Sequence, residues 1–274
     1  MSIPFERPTA AAATVPAEIG DQDLARECLY RFLAASLSDP RHSMFRLVLG
    51  NENQSAALQA AELLRDNAVP DPVPLGFGER PAGERDLTEL IAEFRRPLDD
   101  LLTEYDRTFG LIFTPECPPY ETEYCPNSEP FFRSQQLADV AGFYRAFGLD
   151  VAESQPERPD HIVLELEFMA LLLTKERLAR PNDGSLAEEQ ALICHNAQRT
   201  FFSEHLIWWV PSFASGLRRK SGGGPYAAVA QALAAFFPIE RRHYGVKAPQ
   251  LPVRPHSVER PEEQSGCVGC TSAA

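Results

Sequence analysis

The sequence predicts an all-α protein: a single globular helical-bundle domain of residues 21–245 with unstructured ends. Three observations carry this. Apolar residues recur at helical spacing through most of that stretch, no segment shows the period-two alternation of a strand, and proline-rich stretches separate the periodic runs. A chain of 274 residues is long enough to bury a sizeable core.

The ends read differently. Residues 1–20 hold Pro4, Pro8, Pro16 and a run of alanines, with neither a basic n-region nor an apolar h-region. They read as a disordered lead-in rather than a signal peptide, so the cytoplasm is the expected location. Residues 246–274 are rich in proline and polar groups and are expected to be disordered.

Charge and hydropathy remove two classes of partner. A formal net charge of −13 argues against nucleic acid, whose recognition needs a basic face. The apolar run Ile162–Leu173 is too short for a bilayer and carries two carboxylates, so no membrane insertion is expected.

The first helix opens at Asp21 and sets Leu24, Cys28, Leu29, Phe32, Leu33 and Leu37 on one face, and Ser38-Asp39-Pro40 stops it. A second runs from about Gln54 to Asp66, with Leu58, Ala61 and Leu63 or Leu64 inward. Residues 69–85 hold four prolines and three glycines and read as a surface loop and hinge. Asp86 and Glu89 resemble a capping box opening a long helix that Pro97 kinks or divides.

Pro115, Pro118, Pro119 and Pro126 keep the following stretch irregular. It carries Tyr120, Tyr124, Glu116, Glu121 and Glu123, and reads either as a recognition loop or as a loop pinned to the core by its aromatics. A helix then spans roughly Gln135 to Phe147, with Gly148 as its C-cap.

The central helix is expected from about Asp160 to Ala179, with apolar side chains on nearly every face, as in a helix at the middle of a bundle. Its mouth is ionisable. Asp160 is positioned to cap it, and His161 and Glu165 share a face at i, i+4. Ser185 and Glu188 form a second capping box. An aromatic block from Phe201 to Phe213 follows, and a last helix runs from Pro225 through Phe237.

The search for catalytic motifs excludes more than it finds. Gly222–Gly224 lacks the lysine and hydroxyl of a phosphate loop, and no G-x-S-x-G elbow exists. His161 with Glu165 makes half of a metal site, but the second Glu-x-x-His copy of di-metal bundles is missing. Trp208, Trp209 and Phe213 belong to the core or to a groove wall. Cys267-Val-Gly-Cys270 supplies two of the four ligands that a structural zinc site needs, in a stretch that reads otherwise as plain tail.

Three blocks in order resemble the TorD/DmsD/NarJ family of redox-enzyme maturation chaperones. They are Pro118-Pro119-Tyr120-Glu121 with Glu123-Tyr124, then Pro159-Asp160-His161-Ile162 with Glu165 to Met169, then His205-Leu206 with Trp209, Pro211 and Phe213. The resemblance spans residues 21–240. It implies a cytoplasmic, system-specific chaperone and not an enzyme, with no cofactor of its own and a monomeric or dimeric state. The implied partner is the apo catalytic subunit of a molybdenum-cofactor oxidoreductase of the dimethyl-sulfoxide-reductase superfamily. Such chaperones often hold that subunit by its twin-arginine signal peptide until cofactor insertion.

Under that resemblance, Asp160, Glu165, Glu121 and Glu123 are expected to face client arginines. Tyr120, Tyr124, Trp209 and Phe213 are expected to line an apolar groove, with His161 adding a hydrogen bond. Two other readings compete: a metal-dependent enzyme built on His161 and Glu165, and a structural helical subunit of a redox complex.

Overall fold

The computed structural model describes residues 21–66, 74–84, 86–110, 116–126, 130–149, 157–180 and 184–256. Among them are ten α-helices: α1 (Asp21–Leu37), α2 (Arg46–Leu49), α3 (Asn51–Asp66), α4 (Thr88–Glu93), α5 (Leu98–Thr108), α6 (Pro130–Ala146), α7 (Ile162–Ala179), α8 (Ser185–Phe201), α9 (Val210–Ser221) and α10 (Pro225–Tyr244). The described residues contain no strand, only an isolated bridge between Tyr120 and His161. None of their helices is long and apolar enough to cross a membrane.

Helix α1 packs between α3 and α7, α7 packs on α8, and α10 lies against α9 and α4. The all-round apolar sequence of α7 explains its place, since Ile162, Leu166, Met169, Leu172 and Leu173 are all buried. Phe168 anchors an aromatic cluster with Phe201 at 4.8 Å and Tyr144 at 4.9 Å between ring centroids. Truncating such a side chain to alanine costs about 3–5 kcal/mol.

Several boundaries moved. Leu24 is half exposed and Leu58 points outward; α3 instead turns Ala57, Ala60, Ala61 and Leu64 inward, small residues that suit a close approach to α1. His161, not Asp160, caps α7, its Nδ1 accepting from the N–H of Val163 at 3.2 Å. Gly184 precedes α8, and no side chain caps it there. Pro97 does divide its helix, into α4 and α5.

Helix α10 continues past the expected end through Pro238 to Tyr244. Proline has no N–H to offer the carbonyl four residues back. That carbonyl, of Ala234, accepts instead from the N–H of Arg80 at 2.8 Å. Glu79 adds a two-pronged pair with Arg241 (2.8 and 3.0 Å), and Phe77 N–H donates to Pro249 at 2.7 Å. Gly78 has φ +75°, and a Cβ there would lie 2.3 Å from the Pro211 carbonyl oxygen. Residues 74–80 are thus pinned rather than hinged, while residues 69–73 and 85 of the expected hinge lie outside the described residues.

Residues 246–256 also depart from the expectation of a disordered tail. They run back over the body, with Val253 N–H on the Ser212 hydroxyl at 3.0 Å and His256 N–H on the Glu123 carbonyl at 2.8 Å. Cys267 and Cys270, like the lead-in of residues 1–20, lie outside the described residues.

Candidate functional site

The proline-rich loop and the mouth of α7 are built as one unit. Pro118 and Pro119 hold the loop extended, and it pairs antiparallel with the helix mouth. Ile162 N–H donates to Pro119 and Glu121 N–H donates to Asp160, both at 2.9 Å. The loop then tightens into a 3-10 turn over Glu121–Tyr124.

This pairing brings three carboxylates into the interior. Asp160 is fully buried and satisfied by its own chain. Its Oδ2 accepts from the Thr122 N–H (3.1 Å), the Thr122 hydroxyl (2.8 Å) and Arg158 Nη2 (2.8 Å), while Arg158 Nε reaches Oδ1 at 3.0 Å. Glu121 is equally buried and accepts from Gln136 Nε2 and Trp208 Nε1, both at 2.9 Å, with His205 Nδ1 3.2 Å from each oxygen. Burial pushes its carboxyl up, and the bonds from His205, Gln136 and Trp208 pull the other way.

Glu165 is the odd member. Trp209 Nε1 donates to its Oε2 at 3.2 Å, and its Oε1 has no hydrogen-bond partner. Burial first, then the charges of Glu121 and Asp160, hold its carboxyl well above the usual range. The physical reading is a neutral acid, since an ionised carboxylate with one donor is costly inside a protein.

The outer layer is made by Tyr120, Glu123 and Arg158. The Arg158 guanidinium lies 4.3 Å from the Tyr120 ring centroid, and the Tyr120 hydroxyl donates to Glu157 at 3.2 Å. Burial and Glu157 push that hydroxyl up to about 12. Glu123 accepts from Arg133 at 2.5 Å and Arg158 at 3.1 Å.

The expected site residues therefore do come together, but not as the wall of an open groove. Tyr124, Trp209 and Phe213 are core side chains, Tyr124 stacking obliquely on Trp209 at 5.3 Å and Trp209 on Phe213 at 5.6 Å. Asp160 and Glu121 are engaged by internal donors, and Tyr120 and Glu123 are only half-buried, with 15% of the Glu123 side chain exposed. His161 is nearly buried, its ring 5.1 Å from Tyr120, and burial lowers its pKa. His161 Nδ1 is committed to capping and Glu165 Oε2 to Trp209.

Sequence reasoning missed Thr122, Arg133, Gln136 and the internal arginine Arg158. Arg158 stands two residues before Asp160, close enough to have been suspected as its counter-ion. Arg133 and Gln136 come from α6, and nothing in their spacing announces it.

A cavity of about 660 Å³ opens beside the loop, lined by Cys125 and Pro126 and by Phe132, Gln135, Gln136 and Asp139 of α6. Phe131 and Phe132 stand exposed at 71% and 46% on the first turn of that helix. Burial pushes the Cys117 and Cys125 thiols up to about 11, so neither is an activated thiolate.

Residues 79–215, half of the chain, match the family model described as nitrate reductase delta subunit. The chain is similar to the selenate reductase assembly chaperone protein of Thauera selenatis, 36% identical over 115 residues, which are 42% of this chain and 56% of that protein. It is similar to the chaperone protein TorD of Vibrio cholerae, 31% identical over 54% of this chain and 59% of that one. The matches thus span under two thirds of the length of these two relatives. The perchlorate reductase assembly chaperone protein of Dechloromonas aromatica is 33% identical over 197 residues, 70% of this chain and 77% of that protein. Matched over the stretch that builds the paired loop, the helix mouth and the tryptophan block, the chain belongs to the nitrate reductase delta subunit family, the TorD and NarJ group.

Proposed function

We propose that the protein is a cytoplasmic, system-specific assembly chaperone. It binds the apo catalytic subunit of a molybdenum-cofactor oxidoreductase of the dimethyl-sulfoxide-reductase superfamily and holds it for cofactor insertion. The observation that carries this reading is the family match over residues 79–215, which contribute every side chain of the acid cluster, together with relatives named as assembly chaperones.

The surface offered to the client is the outer layer of the unit. A twin-arginine leader presents two guanidinium groups and an apolar segment, which call for carboxylates beside an apolar recess. Glu123, now bonded to Arg133 and Arg158, supplies the first, beside the Tyr120 ring on which Arg158 stacks. The cavity with exposed Phe132 at its rim supplies the second. The buried Asp160, Glu121, Glu165, Trp209 and Phe213 act from behind, by fixing the loop's shape.

A twin-arginine leader peptide from a molybdoenzyme of that superfamily, titrated at low salt, tests the surface. Glu123→Lys and Phe132→Ser are each expected to weaken binding about tenfold or more, while circular dichroism stays unchanged. Unchanged affinity in both would remove this face. Pull-down of the apo catalytic subunit with and without its leader tests the role itself; failure to recover the subunit in either form would sink the chaperone reading.

A further inference from the structure

The acid cluster contains a histidine that the client surface does not use. His205 is fully buried, and its Nε2 has no hydrogen-bond partner. It sits in a π-helical turn, Phe202–Leu206, closed by a bond from Ile207 N–H to the Phe202 carbonyl at 3.0 Å. Such single wide turns recur at functional sites. On one side of the ring, Nδ1 lies 3.2 Å from both oxygens of Glu121. On the other, Nε2 is 3.6 Å from Oδ2 of Asp139. One ligand atom each from Asp139, Glu204 and His205 lie within 4.8 Å of one another.

We propose that Asp139, Glu204 and His205 form a binding site for one divalent transition-metal ion at the edge of the cavity. The inference stands apart from the chaperone reading and does not need it.

Four features argue for it. His205 Nδ1 lies 3.2 Å from both Glu121 oxygens and 3.3 Å from Gln136 Nε2; the tautomer that donates Nδ1–H to the carboxylate leaves the Nε2 lone pair toward Asp139. A carboxylate behind the far nitrogen of a histidine is the arrangement that orients metal-bound imidazoles and raises their basicity. The donor set of one imidazole and two carboxylates suits zinc, manganese or iron better than magnesium or calcium, which favour oxygen alone. Asp139 and Glu204 are exposed, so both can swing in from the 4.8 Å spread to the roughly 3–3.5 Å separation that bonds of about 2.1 Å require. Three protein ligands leave a position for water or for a donor brought by a partner, and Asp139 already lines the cavity from which that donor would come.

The bland alternative is an imidazolium held between Glu121 and Asp139 as a plain ion pair. Equilibrium dialysis and calorimetry with Zn²⁺ separate the two, using the full chain after chelator treatment. Cys267→Ser with Cys270→Ser serves as the background, so that the C-x-x-C stretch cannot supply the signal. The expected result is one ion per chain, with affinity falling about tenfold or more in Asp139→Asn and in Glu204→Gln. Both residues are on the surface, so these variants should keep their fold. Glu121→Gln, behind the ring, is expected to weaken binding by roughly 10–100-fold. Co²⁺ in place of Zn²⁺ should give visible bands that vanish in the Asp139→Asn, Glu204→Gln double variant. Absence of a bound ion in the Cys267→Ser, Cys270→Ser background would overturn the site, as would an ion retained undiminished by that double variant.

Discussion

The backbone N–H of Arg80 donates at 2.8 Å to the carbonyl of Ala234, the helical acceptor that Pro238 leaves unused. A proline that looks like a helix terminator thus becomes an attachment point, and the segment before α4 docks on α10 through it. Pro238→Ala would give that carbonyl an intrahelical donor to share. The Arg80 amide should then exchange faster with solvent deuterium, by roughly fivefold for the loss of a bond worth about 1 kcal/mol. Unaltered protection at Arg80 would show that Glu79 with Arg241 and the Phe77 bond to Pro249 hold the segment by themselves.

Glu165 yields a pH prediction whose sign is opposite to the usual carboxylate case. Its folded carboxyl is held well above the ordinary value of 4.5, by burial and then by Glu121 and Asp160. The native state keeps a proton that the unfolded chain releases as pH rises past 4.5, so stability falls with rising pH over that interval. Glu165→Gln mimics the neutral acid and escapes the penalty. It is expected to equal the parent near pH 4 and to exceed it by about 1–3 kcal/mol at pH 8, the range for a buried group left uncompensated. Urea midpoints at the two pH values decide the matter; a parent protein more stable than the variant at pH 8 would mean that Glu165 is ionised.

The pair of Arg26 and Glu240 behaves the ordinary way. Arg26 Nε meets Glu240 Oε1 at 2.6 Å, Tyr30 donates to the same carboxylate at 2.8 Å, and Arg26 also bonds Tyr244. Burial raises the Glu240 carboxyl, but Arg26, His243 and Tyr30 outweigh it and leave the group below its ordinary 4.5. This stabilisation is complete above the unfolded value and is lost as pH falls through the folded one. Glu240→Gln leaves the buried guanidinium with Asp23, 3.0 Å from its Nη1, as its remaining counter-charge, at an expected cost of about 3 kcal/mol near neutrality. The gap between parent and variant should shrink below pH 4, which denaturant titration at several acidic pH values would reveal.

Periodicity and proline placement carried most of the fold. The central position of α7 followed from its all-round apolar sequence, and the division at Pro97 followed from steric rules that act locally. Leu24 and Leu58 went wrong because a stripe of leucines and a stripe of alanines both satisfy helical spacing, and only the neighbouring helix decides which is buried. The site was legible in part. Tyr120, Glu121, Glu123, Asp160, His161 and Glu165 are assembled together, but their burial depends on Arg158, Thr122, Gln136 and Trp208 arriving from four segments. Thr122 and Arg158 stand beside Glu121 and Asp160 in the sequence, but no window of the chain shows that Gln136 and Trp208 join them. His205 was visible as a member of the third resemblance block, but its burial was not, because the wide turn over Phe202–Leu206 that carries it has no signature in the spacing.

Arg158 occupies the position that a client arginine was expected to take, joined to Asp160 and Glu123 and stacked on Tyr120. Removing it by Arg158→Ala leaves Asp160 fully buried with Thr122 as its remaining donor. A buried pair broken from one side costs about 3–5 kcal/mol; with a third of the Arg158 side chain exposed, solvent screening lowers the expected loss to about 2 kcal/mol. The vacated carboxylates then become available to an arginine from outside. A twin-arginine leader peptide should therefore raise the melting temperature of Arg158→Ala by more than that of the parent at equal peptide concentration. This gain reflects tighter binding to the folded state. Replacing both peptide arginines with glutamine should abolish the difference. Equal shifts for parent and variant would place the leader away from this cluster and leave Arg158 a structural counter-ion alone.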